Sequence, residues 1–193
     1  ARRGATWAGM SDEKPWPARS YASIYAFLAL AESDWVKRGD VVRAIWPDLE
    51  VAVAANRLRV ALADFRRNLA PAFEEDGPRF RFNPDLISID LEAFRDATRL
   101  AGDAIDAEVE FQTLFALLPT LRKGFLSDII GEWIEPHRLR WTKEVLSTLR
   151  RLADLATSRL DWPSLMLIAD AGLVHEPFDN GFWRFKLRAG AGT

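Results

Sequence analysis

Apolar residues recur at the spacing of a helix through most of this chain, and short polar turns separate the segments in which they do so. In the first half, the pattern predicts one helix from Arg19 to about Glu32 and a short second helix from Val41 to Trp46, with Asp40 as its N-cap. After the turn formed by PDLE, a third and longer helix is predicted from Val51 to Leu69. A short helix that precedes a longer one across a tight turn is the arrangement of a helix-turn-helix.

The third helix has two faces of different composition. One face is apolar and consists of Ala54, Leu58, Ala61, Leu62, Phe65 and Leu69. The opposite stripe consists of Asn56, Val60, Ala63 and Arg67, with Arg57, Arg59 and Arg66 on its flanks. Small side chains allow close approach to DNA, asparagine and arginine can read base edges, and flanking arginines can contact phosphates, so the pattern is typical of a recognition helix. An ordinary amphipathic helix with a solvated, arginine-rich face explains it equally well.

A β-hairpin is predicted after the third helix. In RFRFNPDLISID, apolar residues alternate on either side of an Asn-Pro-Asp turn, at Phe80, Phe82, Ile87 and Ile89. Next to a helix-turn-helix such a hairpin is called a wing. Arg79 and Arg81 lie on the strand face opposite the phenylalanines, where they can follow the phosphates beside the groove. The alternative is a pair of solvated arginines on an exposed strand.

From Asp90 onward the pattern is almost entirely helical. Two helices are predicted with apolar faces at Leu91, Phe94, Ala97 and Leu100, and at Val109, Phe111, Leu114, Phe115 and Leu118. A long helix from Ile134 to Leu160 follows, with Leu139, Trp141, Val145, Leu146, Leu149, Leu152, Leu155 and Ala156 inward, and then a shorter pair divided by Pro177. Paired antiparallel helices indicate tetratricopeptide-like hairpins, with a plain helical bundle as the alternative. The predicted fold class is therefore mainly α.

Composition narrows the function classes. The chain lacks cysteine, and no stretch is long and apolar enough to cross a bilayer, so we expect a cytoplasmic protein without disulfides, a zinc site or a membrane segment. The net charge of −2 argues weakly against binding of nucleic acid. It is the sum of +2 for residues 1–82 and −4 for residues 83–193. Because local clustering of charge matters more than the sum, a DNA-binding first half remains compatible with the composition.

No active site can be assembled from the sequence. The two histidines, His137 and His175, have neither metal-site spacing nor a companion nucleophile, and glycine-rich phosphate loops are absent. His137 is interpreted as solvated and His175 as part of a helix end. The tryptophans mostly occupy core-like helical positions. We therefore predict no enzyme, no cofactor, no metal ion and no small-molecule ligand.

Several segments resemble one family. GDVVRAIWPDLEVAVAANRLRVALADFRRNL is similar to the helix-turn-helix of the bacterial transcriptional activator domain regulators, which include the Streptomyces antibiotic regulatory proteins, and RFRFNPDLISIDLEAF resembles their wing. GFLSDIIGEWIEPHRLRW and HEPFDNGFWRFKLRA resemble their activator domain. The resemblance implies a winged helix over residues 1–89, a tetratricopeptide-like domain over residues 90–193, and tandem binding to direct repeats. Residues 1–18 are too short to supply the whole N-terminal sheet of that family, so we expect this sheet to be incomplete.

Two hypotheses from different classes follow. In the first, the chain is a sequence-specific regulator of transcription, an activator, that binds double-stranded DNA and contacts RNA polymerase or another protomer through its helical domain. Asn56 would read an adenine, and the arginines would mostly hold phosphates, with Arg67 as a second candidate reader. In the second, a degenerate winged helix and the helical repeats form a module for protein interactions. A contiguous positive face favours DNA, whereas a face interrupted by acids such as Glu50 and Asp64 favours protein docking.

Overall fold

The computed structural model describes residues 19–31, 35–83, 86 and 90–192 of the chain. These residues form a mainly helical protein with a small three-stranded antiparallel sheet. The chain divides into two compact units, one made of Ala1–Ile89 and Leu126–His137, the other of Asp90–Phe125 and Arg138–Thr193. Across the described ranges, no helix combines the length and apolar character that crossing a membrane requires.

The described residues of the first unit form three α-helices, three strands, a 3-10 helix and the start of a further helix at residues 135–137. The helices are α1 (Arg19–Leu30), α2 (Arg38–Ile45) and α3 (Val51–Leu69), the strands are β1 (Val36–Lys37), β2 (Phe73–Asp76) and β3 (Arg79–Phe82), and the 3-10 helix is Glu132–Ile134. Predicted and observed bounds agree closely for α1 and α3. The prediction that Asp40 caps α2 is wrong, because α2 begins at Arg38 and Asp40 lies within its first turn, where a carboxylate favours the helix dipole.

The hairpin predicted between Phe80–Phe82 and Ile87–Ile89 is wrong in its pairing. Instead, β3 pairs with β2 across a turn at Gly77, whose φ of 58° suits glycine, and the residues 87–89 lie outside the described part. The sheet order is β1-β3-β2, so both edges of β3 are already occupied. The acidic segment Phe73–Asp76 forms the strand β2, with Phe73 buried in the core.

The core of the first unit confirms the two-faced character of α3. Its apolar face is buried at Ala54, Leu58, Ala61, Leu62 and Phe65, while the side chain of Leu69 lies outside the described set. This face packs against Ile24 of α1, Val41 of α2 and Phe80 of β3, all of which are fully buried. Burial of this apolar surface holds α3 so that its opposite face is turned outward.

The second unit consists of helices joined by short turns in its described residues. Its helices are α4 (Asp90–Gly102), α5 (Ala107–Phe115), α6 (Leu118–Leu121), α7 (Glu135–Ser158, from Arg138 onward), α8 (Trp162–His175) and α9 (Asn180–Gly192). The inward positions predicted for α7 are buried, apart from Leu139. The predictions of inward Leu100, Val109 and Leu139 are wrong, since each side chain is more than half exposed.

Two polar groups are specifically accommodated in the second unit. Glu110 occupies an inward position of α5, where it accepts hydrogen bonds of 2.7 and 2.6 Å from Nε and Nη2 of Arg151. Asp179 caps α9 by accepting from the amides of Gly181 and Phe182, and it also accepts from Arg150. Burial acts to raise the pKa of Asp179, but these three donors together lower it below the ordinary value.

Candidate nucleic-acid interface

The outward stripe predicted for α3 lies at the surface. Asn56, Val60 and Arg67 are exposed and Ala63 is half-buried. The N-cap of the helix is Glu50, whose side chain accepts from the amide of Ala52. Because α3 is continuous from Val51 to Leu69 and its opposite face is anchored in the core, this stripe is held as one straight row of side chains.

Asn56 is tied to Arg59 within the same helix. Its Oδ1 accepts from Nε of Arg59 at 3.3 Å and from Nη2 at 2.9 Å. A bidentate contact to adenine uses both the oxygen and the NH₂ group of an asparagine. Asn56 is exposed, and its oxygen has to be shared with, or released by, Arg59 for such a contact.

Two arginines of α3 are the most available cations of this helix. Arg57 is exposed and makes no ion pair or hydrogen bond with any residue in the described ranges. Arg67 has 73% of its side chain exposed and only a long contact of 3.5 Å to Asp64, one turn away. Exposed pairs of this kind contribute little, so Arg67 can exchange its partner at small cost.

Arg66, by contrast, is engaged with the sheet. Nη2 of Arg66 donates to Oε1 of Glu75 in β2 at 2.9 Å, and its Nε donates to Oε2. The same Oε1 accepts from Nη2 of Arg38 in α2 at 2.9 Å. The hydrogen bonds to Glu75 raise the pKa of Arg66. We call Arg38, Arg66 and Glu75 the hub; it ties α2, α3 and β2 together.

On the outward face of the sheet, arginines of β3 stand opposite acidic residues of β2. Arg79 stands opposite Asp76 and forms an ion pair with it, and Arg81 stands opposite Glu74, with 2.8 Å between Nε and Oε2. The guanidinium of Arg81 also lies 4.6 Å from the ring centroid of Trp35. Arg81 is therefore only a quarter exposed, while almost half of the Arg79 side chain remains in solvent.

The acids expected to interrupt the positive face have roles in the fold. Glu50 caps α3, and Asp64 accepts a hydrogen bond of 2.6 Å from the hydroxyl of Tyr21 in α1. This bond, reinforced by burial, raises the pKa of Tyr21 to about 12. Asp64 thus lies on the flank of α3 that faces α1, and only 29% of its side chain is exposed.

Sequence reasoning missed several residues of this surface, among them Trp35, Arg38 and Glu75. One signal was present: Asp76 and Glu74 of FEED stand at the same distances before the Gly-Pro turn as Arg79 and Arg81 of RFRF stand after it. Opposite charges on facing strand positions favour pairing. Counting that complementarity would have identified the hairpin and the partners of Arg79 and Arg81.

Within the described ranges, no group of three or more His, Asp or Glu side chains is placed to hold a metal ion. A scan against protein-family models and a search of curated proteins found no match to the sequence. The geometry of the site itself is therefore the basis for a functional proposal.

Proposed function

We propose that the chain is a sequence-specific DNA-binding regulator of transcription, with a winged helix in its first half and a tetratricopeptide-like domain in its second, as in the bacterial transcriptional activator domain regulators. The observation that carries the proposal is the outward stripe of α3, on which Asn56 stands among small side chains with Arg57 and Arg67 nearby. The helix α3 follows a short helix, α2, which packs against it, and the β2–β3 hairpin comes next in the unit.

In the proposed complex, α3 enters the major groove. Asn56 contacts an adenine, which is worth about 1 to 3 kcal/mol of discrimination, and Arg57 and Arg67 contact phosphates. Arg59 is displaced from Asn56 toward the backbone of the DNA. Arg66 leaves Glu75 in part, because a phosphate competes with the carboxylate for the same guanidinium.

The β2–β3 hairpin is the proposed wing. Arg79 is its more exposed arginine and lies nearest the turn, so it is the better phosphate contact of the two, whereas Arg81 is held between Trp35 and Glu74. In the second unit, α4 packs extensively on α5 and α8 on α9. Helix pairs of this kind support the tetratricopeptide-like assignment, with RNA polymerase or another protomer as the proposed partner.

A second candidate function, a module for protein interactions alone, is favoured by one specific observation. The β2–β3 hairpin has three acids, Glu74, Glu75 and Asp76, against two arginines, so its own charge is negative. A negative wing is repelled by phosphates unless its carboxylates are neutralised by neighbours such as Arg38 and Arg66.

Selection of bound duplexes from a random pool, read at two salt concentrations, tests the proposal. We expect one enriched sequence, relaxed sequence preference for Asn56→Ala, and uniformly weaker binding with a shallower salt dependence for Arg57→Ala. Arg184→Ala, which removes an exposed arginine of α9, is the matched control and should bind like the wild type. Failure to retain any duplex at low salt would exclude DNA binding in favour of the interaction module.

A further inference from the structure

Two valines on α3 are exposed on the same stripe as Asn56. Val53 leaves 44% and Val60 leaves 48% of its surface in solvent, although the opposite face of the helix is buried. Val53, Asn56 and Val60 follow at intervals of three and four residues, so the valines flank Asn56 along one line. A row of exposed β-branched side chains is the kind of surface that a partner covers.

The charges around these valines restrict what that partner can be. Arg57 and Arg67 stand beside the row without strong partners, and Arg59 is bound only to Asn56 in the described part of the chain. A partner surface complementary to this row therefore presents apolar groups bordered by dense negative charge. The DNA major groove does so, because the C5 methyl groups of thymine project into it between the two phosphate backbones.

We propose that Val53 and Val60 contact thymine methyl groups on either side of the base that Asn56 reads, so that α3 selects A·T base pairs. This inference rests on the proposed function and adds which bases are recognised. Seven residues of helix separate the valines, which is about 10 Å along its axis, or about three base-pair steps. Val53 and Val60 are thus specificity-determining residues that read shape and methyl groups rather than hydrogen bonds.

Replacing thymine by deoxyuridine tests the inference, since the two differ only in the C5 methyl group. Each thymine of the duplex obtained by selection is replaced singly, and the dissociation constant of the full chain is measured by fluorescence anisotropy at one fixed salt concentration. We expect about fourfold weaker binding at the contacted positions, from the loss of one buried methyl group. Val53→Ala or Val60→Ala should each abolish the effect at one of those positions and leave it at the other.

Val109→Ala is the matched control, because Val109 is exposed to a similar extent, 53%, on α5. It should retain the full thymine effect. Alanine is the better helix former, so the three variants are expected to fold, which circular dichroism verifies. Duplex binding that ignores every deoxyuridine replacement would overturn the inference while leaving DNA binding intact, as would a thymine effect that persists unchanged in both α3 variants. Absence of any duplex binding would instead overturn the proposed function.

Discussion

Glu75 determines how many cations the first unit can offer to a polyanion. Its carboxylate holds Arg38 and Arg66, which leave 37% and 45% of their side chains exposed, while only 22% of the Glu75 side chain is exposed. Replacing Glu75 by glutamine keeps the size and hydrogen-bonding capacity of the side chain but removes its charge. Both arginines of the hub then become available to phosphates.

Two opposing effects are expected for Glu75→Gln. Loss of two partly exposed ion pairs, each worth about 0.2 to 1 kcal/mol, lowers the free energy of unfolding by about 0.4 to 2 kcal/mol. DNA affinity rises at low salt, because each arginine that gains a phosphate steepens the dependence of log K on log salt by about 0.9. Chemical denaturation measures the first effect, and anisotropy titrations between about 50 and 200 mM salt measure the second.

Glu108→Gln provides the control for Glu75→Gln. It makes the same change in net charge, but Glu108 pairs with Arg159 in the second unit. We expect this variant to bind DNA with the salt dependence of the wild type. If both variants steepened the salt dependence equally, general charge would be the cause and not the hub. If Glu75→Gln weakened binding at low salt, Glu75 would position Arg66 for DNA and not compete for it.

Two further predictions concern the second unit. An added Cβ at Gly172 would lie about 2.4 Å from the ring of Phe182, so Gly172→Ala should destabilise by about 1 to 3 kcal/mol in thermal unfolding, whereas Gly102→Ala, with open space around it, should be neutral or stabilising by up to about 1 kcal/mol. Because the pKa of Asp179 is lowered in the fold, its contribution to stability is present at pH values above about 4 and is lost as the pH falls through the lowered pKa. Asp179→Asn should therefore be less stable than wild type at neutral pH, and a gap that failed to narrow in acid would contradict this assignment.

Elements whose evidence is local were predictable. The bounds and buried face of α3 follow from the period of Leu58, Leu62 and Phe65, because a helix places residues three and four apart on one side whatever surrounds it. Strand pairing was not predictable in this way. The sequence pattern predicted that residues 87–89 pair with β3, whereas in the structure β2 does so. The alternation of Phe80 and Phe82 does not specify which segment lies beside them.

In the second unit, amphipathic periodicity does not fully predict which side chains are buried. The exposed positions of Val109 and Leu139, and the inward position of Glu110, depart from a simple reading of apolar as buried. Glu110 is inward because Arg151, on another helix, satisfies both of its oxygens. Residues 126–137 fall within the domain predicted over residues 90–193, but by their contacts they belong to the first unit.

By itself, the sequence determined the helical character of the chain, the two faces of α3 and the outward position of Asn56, because these depend on side-chain spacing along one continuous helix. The tertiary structure alone decided which arginines are available. Arg57 and Arg66 are the same residue type on one helix. Glu75, nine residues from Arg66 along the chain, binds Arg66 but not Arg57. Coulomb attraction depends on distance in space and on exclusion of water, and neither can be read from separation along the chain.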